Sequence, residues 1–232
     1  MYLLTETASP FALERWAAFF ANFGQFAKGF FYTLGISIGA LIVALLLGLI
    51  FGAMSSTHNK VLRGISRVYV EIFQNTPLLV HFVVVFYGIS ILTDGHVMIP
   101  ISMTAILCVG VYTGAYISEI IRTGIEAVPK GQTEAALSQG FTYADTMRII
   151  ILPQAVRTIL PPLTNQVVNL IKNTSTVAII SGADIMFTAK AWAYDTTNYV
   201  PAFAGAAFLY FIMCFPLATW ARRKEEENKK AY

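Results

Sequence analysis

Hydrophobic residues fall into five long stretches that are separated by shorter polar segments. A helix needs about 20 predominantly apolar residues to cross the hydrocarbon core of a bilayer. Each stretch has about this length, so we predict an all-α integral membrane protein with five transmembrane helices. The predicted spans cover roughly residues 30–54, 68–92, 101–121, 163–181 and 200–220, and a lead-in broken by prolines precedes the fourth.

Small residues recur at every fourth position of the first predicted span and again in the third. This spacing lets the backbones of two helices approach closely in lipid, so it predicts that these spans pack against other helices. The residues are Ala40, Ala44, Gly48 and Gly52 in the first span and Gly110 and Gly114 in the third.

The composition agrees with a membrane protein. Only 12% of the 232 residues are charged and 56% are hydrophobic, whereas soluble domains average about 25% charged residues. Cys108 and Cys214 lie inside apolar stretches, so we expect buried small side chains rather than disulfide or metal ligands. No G-x-x-x-x-G-K-S/T motif occurs, so the chain has no P-loop with which to bind ATP itself.

Lysine and arginine lie mainly in alternate loops and in the C-terminal tail, and this bias predicts the orientation. Basic loops stay on the cytoplasmic side of a membrane. With five spans, the bias places the N-terminus outside and the C-terminus in the cytoplasm. The residues on the predicted cytoplasmic side are Lys60, Arg63 and Arg67 in the first loop, Arg122, Lys130 and Arg148 in the third, and Arg222, Arg223, Lys224, Lys229 and Lys230 in the tail 221–232.

Residues 1–29 precede the first span and are predicted to lie on the extracytoplasmic side. They lack the basic start of a secretory signal peptide, so we expect them to belong to the mature chain. The aromatic-rich stretch FALERWAAFFANFGQFAKGFF favours a helix in the membrane interface. A disordered flank is the alternative.

The loop between the third and fourth spans contains the stretch EAALSQGFTYADTMRIIILP, which is too polar to enter lipid. Pro129 suits the first turn of a helix, and Gly140 suits the position just beyond its end. Thr142, followed by Asp145 three residues later, is typical of a second helix start, and Pro153 is expected to stop the run that follows. We therefore predict two short helices bent at Gly140.

The order E-A-A at 134–136, three residues, Gly140, nine residues and then I-x-L-P resembles the EAA loop of ABC-importer permeases. Around it, nearly all of residues 33–220 is similar to the polar amino-acid permeases of bacterial uptake systems. The matching segments are YVEIFQNTPLLV, GAYISEIIRTGIEAVPKGQ and NLIKNTSTVAIIS. The resemblance implies a single transmembrane permease domain over residues 1–232.

In that family the EAA loop is a coupling helix that lies in a groove of a separate ATPase subunit. The resemblance implies that residues 122–153 form a cytoplasmic coupling loop, in which Glu134, Ala135, Ala136 and Gly140 couple to the ATPase. The alanines would allow close approach, the glycine would make the bend, and the glutamate would anchor on a polar group of the partner. A loop that is helical only for stability is the alternative.

The same resemblance implies the partners of the chain and its place in the cell. ATP and Mg²⁺ would bind to a dimer of partner ATPase subunits, and this chain would hold no cofactor or metal of its own. A second permease subunit, identical or related, and an extracytoplasmic substrate-binding protein would complete the importer. The chain is thereby expected to be a multi-pass protein of the bacterial inner membrane and a non-catalytic transport subunit.

Polar residues inside the predicted spans mark a candidate substrate pathway. In the fourth span they recur at helical spacing, and Pro161 and Pro162 are expected to break the helix just before them. In the second span they precede Pro77, where another break is expected. Lys172 near a helix centre costs about 3 kcal/mol to insert, so it should face a cavity or a partner. The candidate pathway residues are Gln74, Asn75, Thr76, His81, Thr113, Tyr116, Asn169, Lys172, Asn173, Thr174 and Ser175.

Structural alternatives accompany these residues. Glu119 in the third span could pair with Lys172 between helices, and Glu71 could pair with Arg67 one turn away. His81, which stands where similar permeases usually have glutamine, could serve in helix packing rather than in the pathway. Polar side chains inside spans also hold helices together in general.

The run Lys172-Asn173-Thr174-Ser175 bears on the substrate. Similar permeases for cationic or broadly polar amino acids read K-D-T-S here, so this chain lacks a fixed negative charge at the presumed site. We therefore expect glutamate or aspartate as the substrate, with neutral polar amino acids such as glutamine as the alternative. Asn173 could instead only pack, with selectivity residing in the binding protein. An ATP-independent secondary transporter or channel is the alternative function class.

Overall fold

A computed structural model describes residues 9–230, and this part of the chain is all-α, without strands, as predicted. Its α-helices are α1 (Leu13–Ala21), α2 (Phe23–Ser55), α3 (Lys60–Gln74), α4 (Leu78–Val83), α5 (Ile89–Leu92), α6 (Ile101–Glu126), α7 (Lys130–Ser138), α8 (Tyr143–Asp145), α9 (Leu152–Asn173), α10 (Ile185–Thr196) and α11 (Tyr199–Lys230). Other helical forms join some of them: π-helices at Val84–Gly88 and Thr146–Ile151 and a 3₁₀-helix at Thr174–Ile180.

Three of the described helices are long and apolar enough to cross a membrane: α2, α6 and the part of α11 at Tyr199–Lys224. They contain the first, third and fifth predicted spans. Helix α2 begins at Phe23, earlier than predicted, because the aromatic lead-in continues the same helix. Length and composition therefore support these three spans.

The second predicted span, at 68–92, is broken at Pro77, where the sequence predicts a break. Helix α3 ends at Gln74, and the stretch Leu78–Leu92 leaves it at an angle of 97°. Pro77 stands at this break. Proline causes such a break because it has no N–H to donate and disfavours a helical conformation in the residue before it. Among the described residues, the bent pair supplies a fourth crossing only if it is taken as one span.

The fourth predicted span, at 163–181, is wrong in its limits. Helix α9 starts well before this stretch and runs through Pro161 and Pro162, and the chain changes to a 3₁₀-helix after Asn173. Pro153 lies in the first turn of α9 and does not stop the run before it. Proline fits a helical φ, and packed helices tolerate the lost hydrogen bond. Because α9 is not among the described helices that meet the criteria for a span, the prediction of five spans is not confirmed.

Helices α2 and α6 pack closely along the small residues predicted to face a neighbouring helix. Ala40 and Ala44 are fully buried. A Cβ added at Gly110 would lie 2.7 Å from the Cβ of Val43 and 3.0 Å from the carbonyl oxygen of Ala40, so no larger residue fits between the backbones. The predicted close approach of helices at these residues is confirmed.

A second core joins α1 to the beginning of α2 and to α10 and α11. Its aromatic rings meet edge to face, with centroids 4.8 Å apart for Phe19 and Phe26 and 5.7 Å apart for Phe26 and Trp192. The helix predicted in the aromatic-rich N-terminal stretch is confirmed as α1, and its position in the membrane interface stays a prediction. Residues 1–8 and 231–232, which belong to the predicted outer segment and tail, lie outside the described residues.

Candidate functional site

The central loop has the predicted short helix before Gly140 and the predicted bend at that residue, but the second helix is not short, because the run that starts at Tyr143 continues into α9. Pro129 immediately precedes α7, and Gly140 follows its end with a φ of +88°. The N–H of Gly140 donates to the carbonyl of Leu137 at 3.1 Å, and the N–H of Phe141 donates to the carbonyl of Ala136 at 3.2 Å. These two bonds form a Schellman motif, which favours glycine at the position with positive φ.

The second helix begins where the Thr142 hydroxyl accepts a hydrogen bond from the N–H of Asp145, at 3.2 Å. This predicted helix start is confirmed, although α8 has only three residues and passes directly into the π-helix Thr146–Ile151. Helix α7 packs back against that π-helix. The loop is therefore a folded unit held at the foot of α9.

The four predicted coupling residues differ in exposure. Glu134, Ala135 and Gly140 are exposed, whereas Ala136 is 4% exposed and faces the inside of the loop. Other apolar side chains lie at the surface beside them, with exposed fractions of 46% for Leu137, 37% for Phe141 and 44% for Tyr143. A carboxylate next to exposed apolar side chains is a surface suited to docking another protein.

A polar cavity of about 370 Å³ lies between α6 and α9. It brings together predicted pathway residues from two distant parts of the sequence. Its lining is Tyr112, Tyr116, Gln166, Asn169, Lys172 and Asn173. Tyr112 and Gln166 were not among the predicted pathway residues, although their positions carry a signal: Tyr112 stands one helical turn before Tyr116, and Gln166 three residues before Asn169.

The lining groups of this cavity can both donate and accept hydrogen bonds. The hydroxyls of Tyr112 and Tyr116 lie 3.1 Å apart, and the amide of Asn169 donates to that of Gln166 at 3.5 Å. Lys172 is exposed and brings a positive charge, and no carboxylate lines the cavity in the described part of the chain. Such a cavity can hold a small zwitterion and favours negative charge near Lys172.

The predicted alternative pairing of Glu119 with Lys172 is wrong. Glu119 instead pairs with Arg122, three residues later on the same helix, and the Arg122 Nε lies 2.9 Å from Glu119 Oε2. The pairing of Arg67 with Glu71 is confirmed at 2.7 Å. Because Glu119 pairs with Arg122, it is not the partner of Lys172, and Lys172 faces the cavity instead.

A smaller cavity of about 280 Å³ lies between the 3₁₀-helix, α10 and α11. Ser175, another predicted pathway residue, lines it together with Lys172. Its remaining lining is Met186, Phe203, Ala206, Ala207 and Tyr210. Lys172 therefore borders both cavities.

His81 lies in α4, one turn after the break at Pro77, near the cavity between α6 and α9. Its Nε2 lies 2.6 Å from the Thr76 hydroxyl, and its ring centroid lies 5.0 Å from that of Phe73 and 6.0 Å from that of Tyr112. These ring contacts agree with the packing alternative for His81. They also place it beside Tyr112, which lines that cavity.

The remaining predicted pathway residues do not line either of these cavities. Gln74 donates to the carbonyl of Ala115 at 3.3 Å and borders a separate polar cavity of about 700 Å³ between α3 and the ends of α2 and α6. Asn75 is exposed and bonds back to its own helix. Thr113 and Thr174 are fully buried. Their role in the pathway stays a prediction.

Residues 44–225 match the family model described as "Binding-protein-dependent transport system inner membrane component". The chain is 36% identical over 216 residues to the probable glutamine ABC transporter permease protein GlnM of Bacillus subtilis (strain 168), covering 92% of this chain and 97% of that protein. It is 32% identical to the glutamate/aspartate import permease protein GltJ of Escherichia coli (strain K12), covering 82% and 85%.

Solved structures show the same fold. A crystal structure of an amino acid ABC transporter with histidines matches with a TM-score of 0.84 and 30% identity, over 91% of this chain and 98% of that one. An inward-facing structure of the MetNI methionine ABC transporter matches with a TM-score of 0.68 and 17% identity, over 86% and 96%. At that lower identity the second match concerns the fold alone.

Proposed function

Because this chain belongs to the family of binding-protein-dependent transport system inner membrane components, we propose that it is the permease subunit of an ATP-driven importer for polar amino acids. Family membership makes it a multi-pass protein of the inner membrane and a transport component rather than an enzyme. Its relatives named as glutamine and glutamate/aspartate permeases match it over most of their length.

One observation carries the proposal for this chain: polar side chains of α6 and α9, which lie far apart in the sequence, converge on one cavity. Lys172 offers a charge for a carboxylate, and the amides of Gln166, Asn169 and Asn173 offer both donors and acceptors. An α-amino acid carries a carboxylate and an ammonium group, so it can satisfy such a lining. Polar groups buried at helix interfaces are where transporters bind their solutes.

The central loop is proposed to be the coupling element, with the N-terminus outside and the loop in the cytoplasm. Glu134, Ala135 and Gly140 would contact the partner ATPase, which binds ATP and Mg²⁺. Ala136 is buried, so its role would be to hold α7 onto the foot of α9 rather than to touch the partner. The importer would also contain a second permease subunit and an extracytoplasmic binding protein.

Glutamate or aspartate is the proposed substrate. The cavity between α6 and α9 has Lys172 at its edge and no carboxylate among its described lining residues, so an acidic side chain meets no fixed negative charge there. A like charge at about 4 Å would cost roughly 4 kcal/mol at an effective dielectric constant of 20. Glutamine fits the same amides without using this charge and is the second candidate.

The test is uptake by proteoliposomes that contain the chain with its ATPase and its native binding protein. Asn173→Asp should lower the uptake of glutamate and aspartate at least tenfold while leaving glutamine uptake within about twofold, because only the acidic substrates meet the new charge. Asn165→Asp, an exposed position on the same helix outside the cavity lining, is the matched control. Uptake that needs no ATPase would contradict the importer function itself.

A further inference from the structure

Of the three cavities described above, the largest has charged residues on two of its walls. This cavity, of about 700 Å³, lies between α3 and the ends of α2 and α6, and we call it the α3–α6 cavity. Helix α3 contributes Lys60 and Arg63, which are exposed. Helix α6 contributes Glu119, Arg122 and Glu126. The volume is within the range of about 300–1,000 Å³ that is typical of sites for small molecules.

The α6 wall has a net negative charge. Arg122 pairs with Glu119, three residues before it, and with Glu126, four residues after it. One cation therefore stands between two carboxylates, and the group of three carries a net charge of −1. This wall can accept hydrogen bonds from a positively charged group of a ligand.

The α3 wall has a net positive charge. Arg67 pairs with Glu71 at 2.7 Å, and these two charges cancel. Lys60 and Arg63 form no ion pair in the described part of the chain, so this wall carries a net charge of +2. With −1 on the α6 wall and a neutral His58, the lining of the α3–α6 cavity has a net charge of +1.

The charges on both walls oppose the dipoles of their helices. Lys60 is the first residue of α3 and Glu126 is the last residue of α6, whereas acidic residues stabilise the start of a helix and basic residues its end. Membrane orientation accounts for the basic residues on this side, but not for the carboxylates, because acidic residues contribute little to orientation. Binding of a ligand with charges of both signs accounts for both walls.

The α3–α6 cavity is adjacent to the cavity between α6 and α9. Glu119 lies three residues after Tyr116, which lines that other cavity, so the two side chains are neighbours on α6. Gln74, which lines the α3–α6 cavity, donates to the carbonyl of Ala115 at 3.3 Å, beside Tyr116. In the proposed orientation α6 ends in the cytoplasm, so the α3–α6 cavity lies on the cytoplasmic side of the substrate.

We propose that the α3–α6 cavity is a second binding site for the α-amino acid on its way to the cytoplasm. The ammonium group of the amino acid faces the carboxylates of α6, and its carboxylates face Lys60 and Arg63. Two carboxylates match the charge of +2 on the α3 wall, so glutamate and aspartate fit this site best. The inference rests on the proposed function, which supplies both the substrate and the orientation.

A cysteine at Gly64 would report directly on whether this site is occupied. Gly64 lines the cavity, its φ is not positive, and a Cβ added there meets no atom within 4 Å. The protein is the importer assembled with its ATPase, without native cysteines and without the binding protein. Glutamate at about ten times its half-protecting concentration should slow the reaction of Gly64→Cys with a thiol reagent about tenfold, because only the empty site reacts.

The choice of amino acid tests the charge of the site. Lysine at the same concentration should slow the reaction much less than glutamate, because its net charge has the same sign as that of the cavity. Gly24→Cys, an exposed position near the start of α2 that also has open space around its added Cβ, is the matched control. It should react at the same rate with and without glutamate. Thr57→Cys, in the loop that lines the same cavity, serves as a second reporter if α3 does not tolerate the change at Gly64.

Two further variants, each combined with Gly64→Cys, show which cavity holds the ligand. Arg63→Gln removes one charge of the α3 wall and should raise the half-protecting concentration of glutamate about tenfold, since the loss of a hydrogen bond to a charged group has an effect of this size. Lys172→Gln alters the cavity between α6 and α9 and should leave this concentration unchanged.

Two results would overturn the proposal: equal reaction rates with and without glutamate, or protection that Lys172→Gln abolishes and Arg63→Gln leaves intact. The second result would place the ligand in the cavity between α6 and α9. Protection is measured without transport, so uptake tests the proposed function separately. An importer that takes up no amino acid contradicts that function, whereas normal uptake without protection contradicts only the second site.

Discussion

Gly140 has a backbone conformation that L-residues rarely adopt, with a φ of +88°. A Cβ built at this position would meet no atom within 4 Å, so a substitution strains the backbone without causing a clash. The left-handed conformation costs an L-residue about 1–2 kcal/mol. A larger residue here is therefore expected to change the angle between α7 and the segment after it rather than the packing of the loop.

Gly140→Val is predicted to leave the protein in the membrane and to abolish the ATP hydrolysis that the substrate stimulates, because the coupling surface would meet the ATPase at a wrong angle. The measurement is ATP hydrolysis by the reconstituted importer with and without substrate-loaded binding protein. Gly131→Ala is the matched control, since its added Cβ also meets no atom within 4 Å and its φ is not positive. Full stimulation in the Gly140 variant would rule out the docking role of this bend.

Asp184 predicts a pH dependence of stability. Burial raises the pKa of its carboxyl to about 6, compared with about 3.9 in unfolded chains. Between these values the folded chain binds more protons than the unfolded one, so stability should increase as the pH falls from about 7 to about 5. Asp184→Asn keeps the helix cap and should remove this contribution.

The measurement is the melting temperature of the purified protein at both pH values. The gain at the lower pH should be smaller in Asp184→Asn than in the wild type. Asp195→Asn, an exposed carboxyl on the same helix, should keep the full gain. Equal gains in the wild type and in the Asp184 variant would show that this carboxyl does not carry the effect.

At the scale of helices, the contact between α2 and α6 depends on the absence of side chains. A Cβ at Gly110 would come within 3.0 Å of the backbone oxygen of Ala40, which cannot move without separating the helices. We predict that Gly110→Val destabilises the protein by about 1–3 kcal/mol, the usual cost of overpacking. Thermal unfolding of the purified variant and of the wild type measures this loss of stability. Gly35→Ala, with open space around its added Cβ on α2, should not destabilise the protein, because alanine favours a helix more than glycine does.

The small residues of α2 and α6 could be predicted from sequence because their spacing alone defines a helix face. The sequence alone does not show whether a given proline ends a helix or lies inside one. Pro77 ends a helix and turns the chain by 97°, whereas Pro161 lies inside a continuous one. A proline removes a hydrogen bond in both settings, and the surrounding packing decides whether the helix continues. The sequence predicts the break at Pro77, whereas the continuation of α9 through Pro161 and its true limits depend on tertiary contacts.

The lining of the cavity between α6 and α9 could also be predicted only in part from the sequence. Asn169 and Lys172 were found because polar residues stand out in an apolar stretch. Tyr112 and Gln166 lie on helices whose relative rotation decides which side chains meet, and no local pattern defines that rotation. The sequence therefore predicts which helices carry the polar groups, but not the complete lining of the cavity.

At the scale of the whole molecule, the orientation in the membrane is the prediction on which the coupling role depends. In a variant without the native cysteines, a cysteine at Lys60 should react with an impermeant thiol reagent only after the cytoplasmic side is opened. A cysteine at His96 should react on intact cells. Both positions are exposed, so accessibility of the reagent decides the result. Reaction of the Lys60 variant from outside would reverse the assigned orientation.

Helix α9 is bounded by segments of unlike winding, the π-helix Thr146–Ile151 before it and the 3₁₀-helix Thr174–Ile180 after it. A π-turn holds an extra residue within an α-helical ladder. When that extra residue moves along a helix, each residue that it passes takes the place of its neighbour in the chain. This change rotates the side chain by about 100° around the helix axis and shifts it by about 1.5 Å along the axis. If a force on the coupling loop moved the extra residue along α9 towards the cavity, α9 would rotate and shift along its axis. Different side chains of α9 would then face the substrate, and the helix would not unfold.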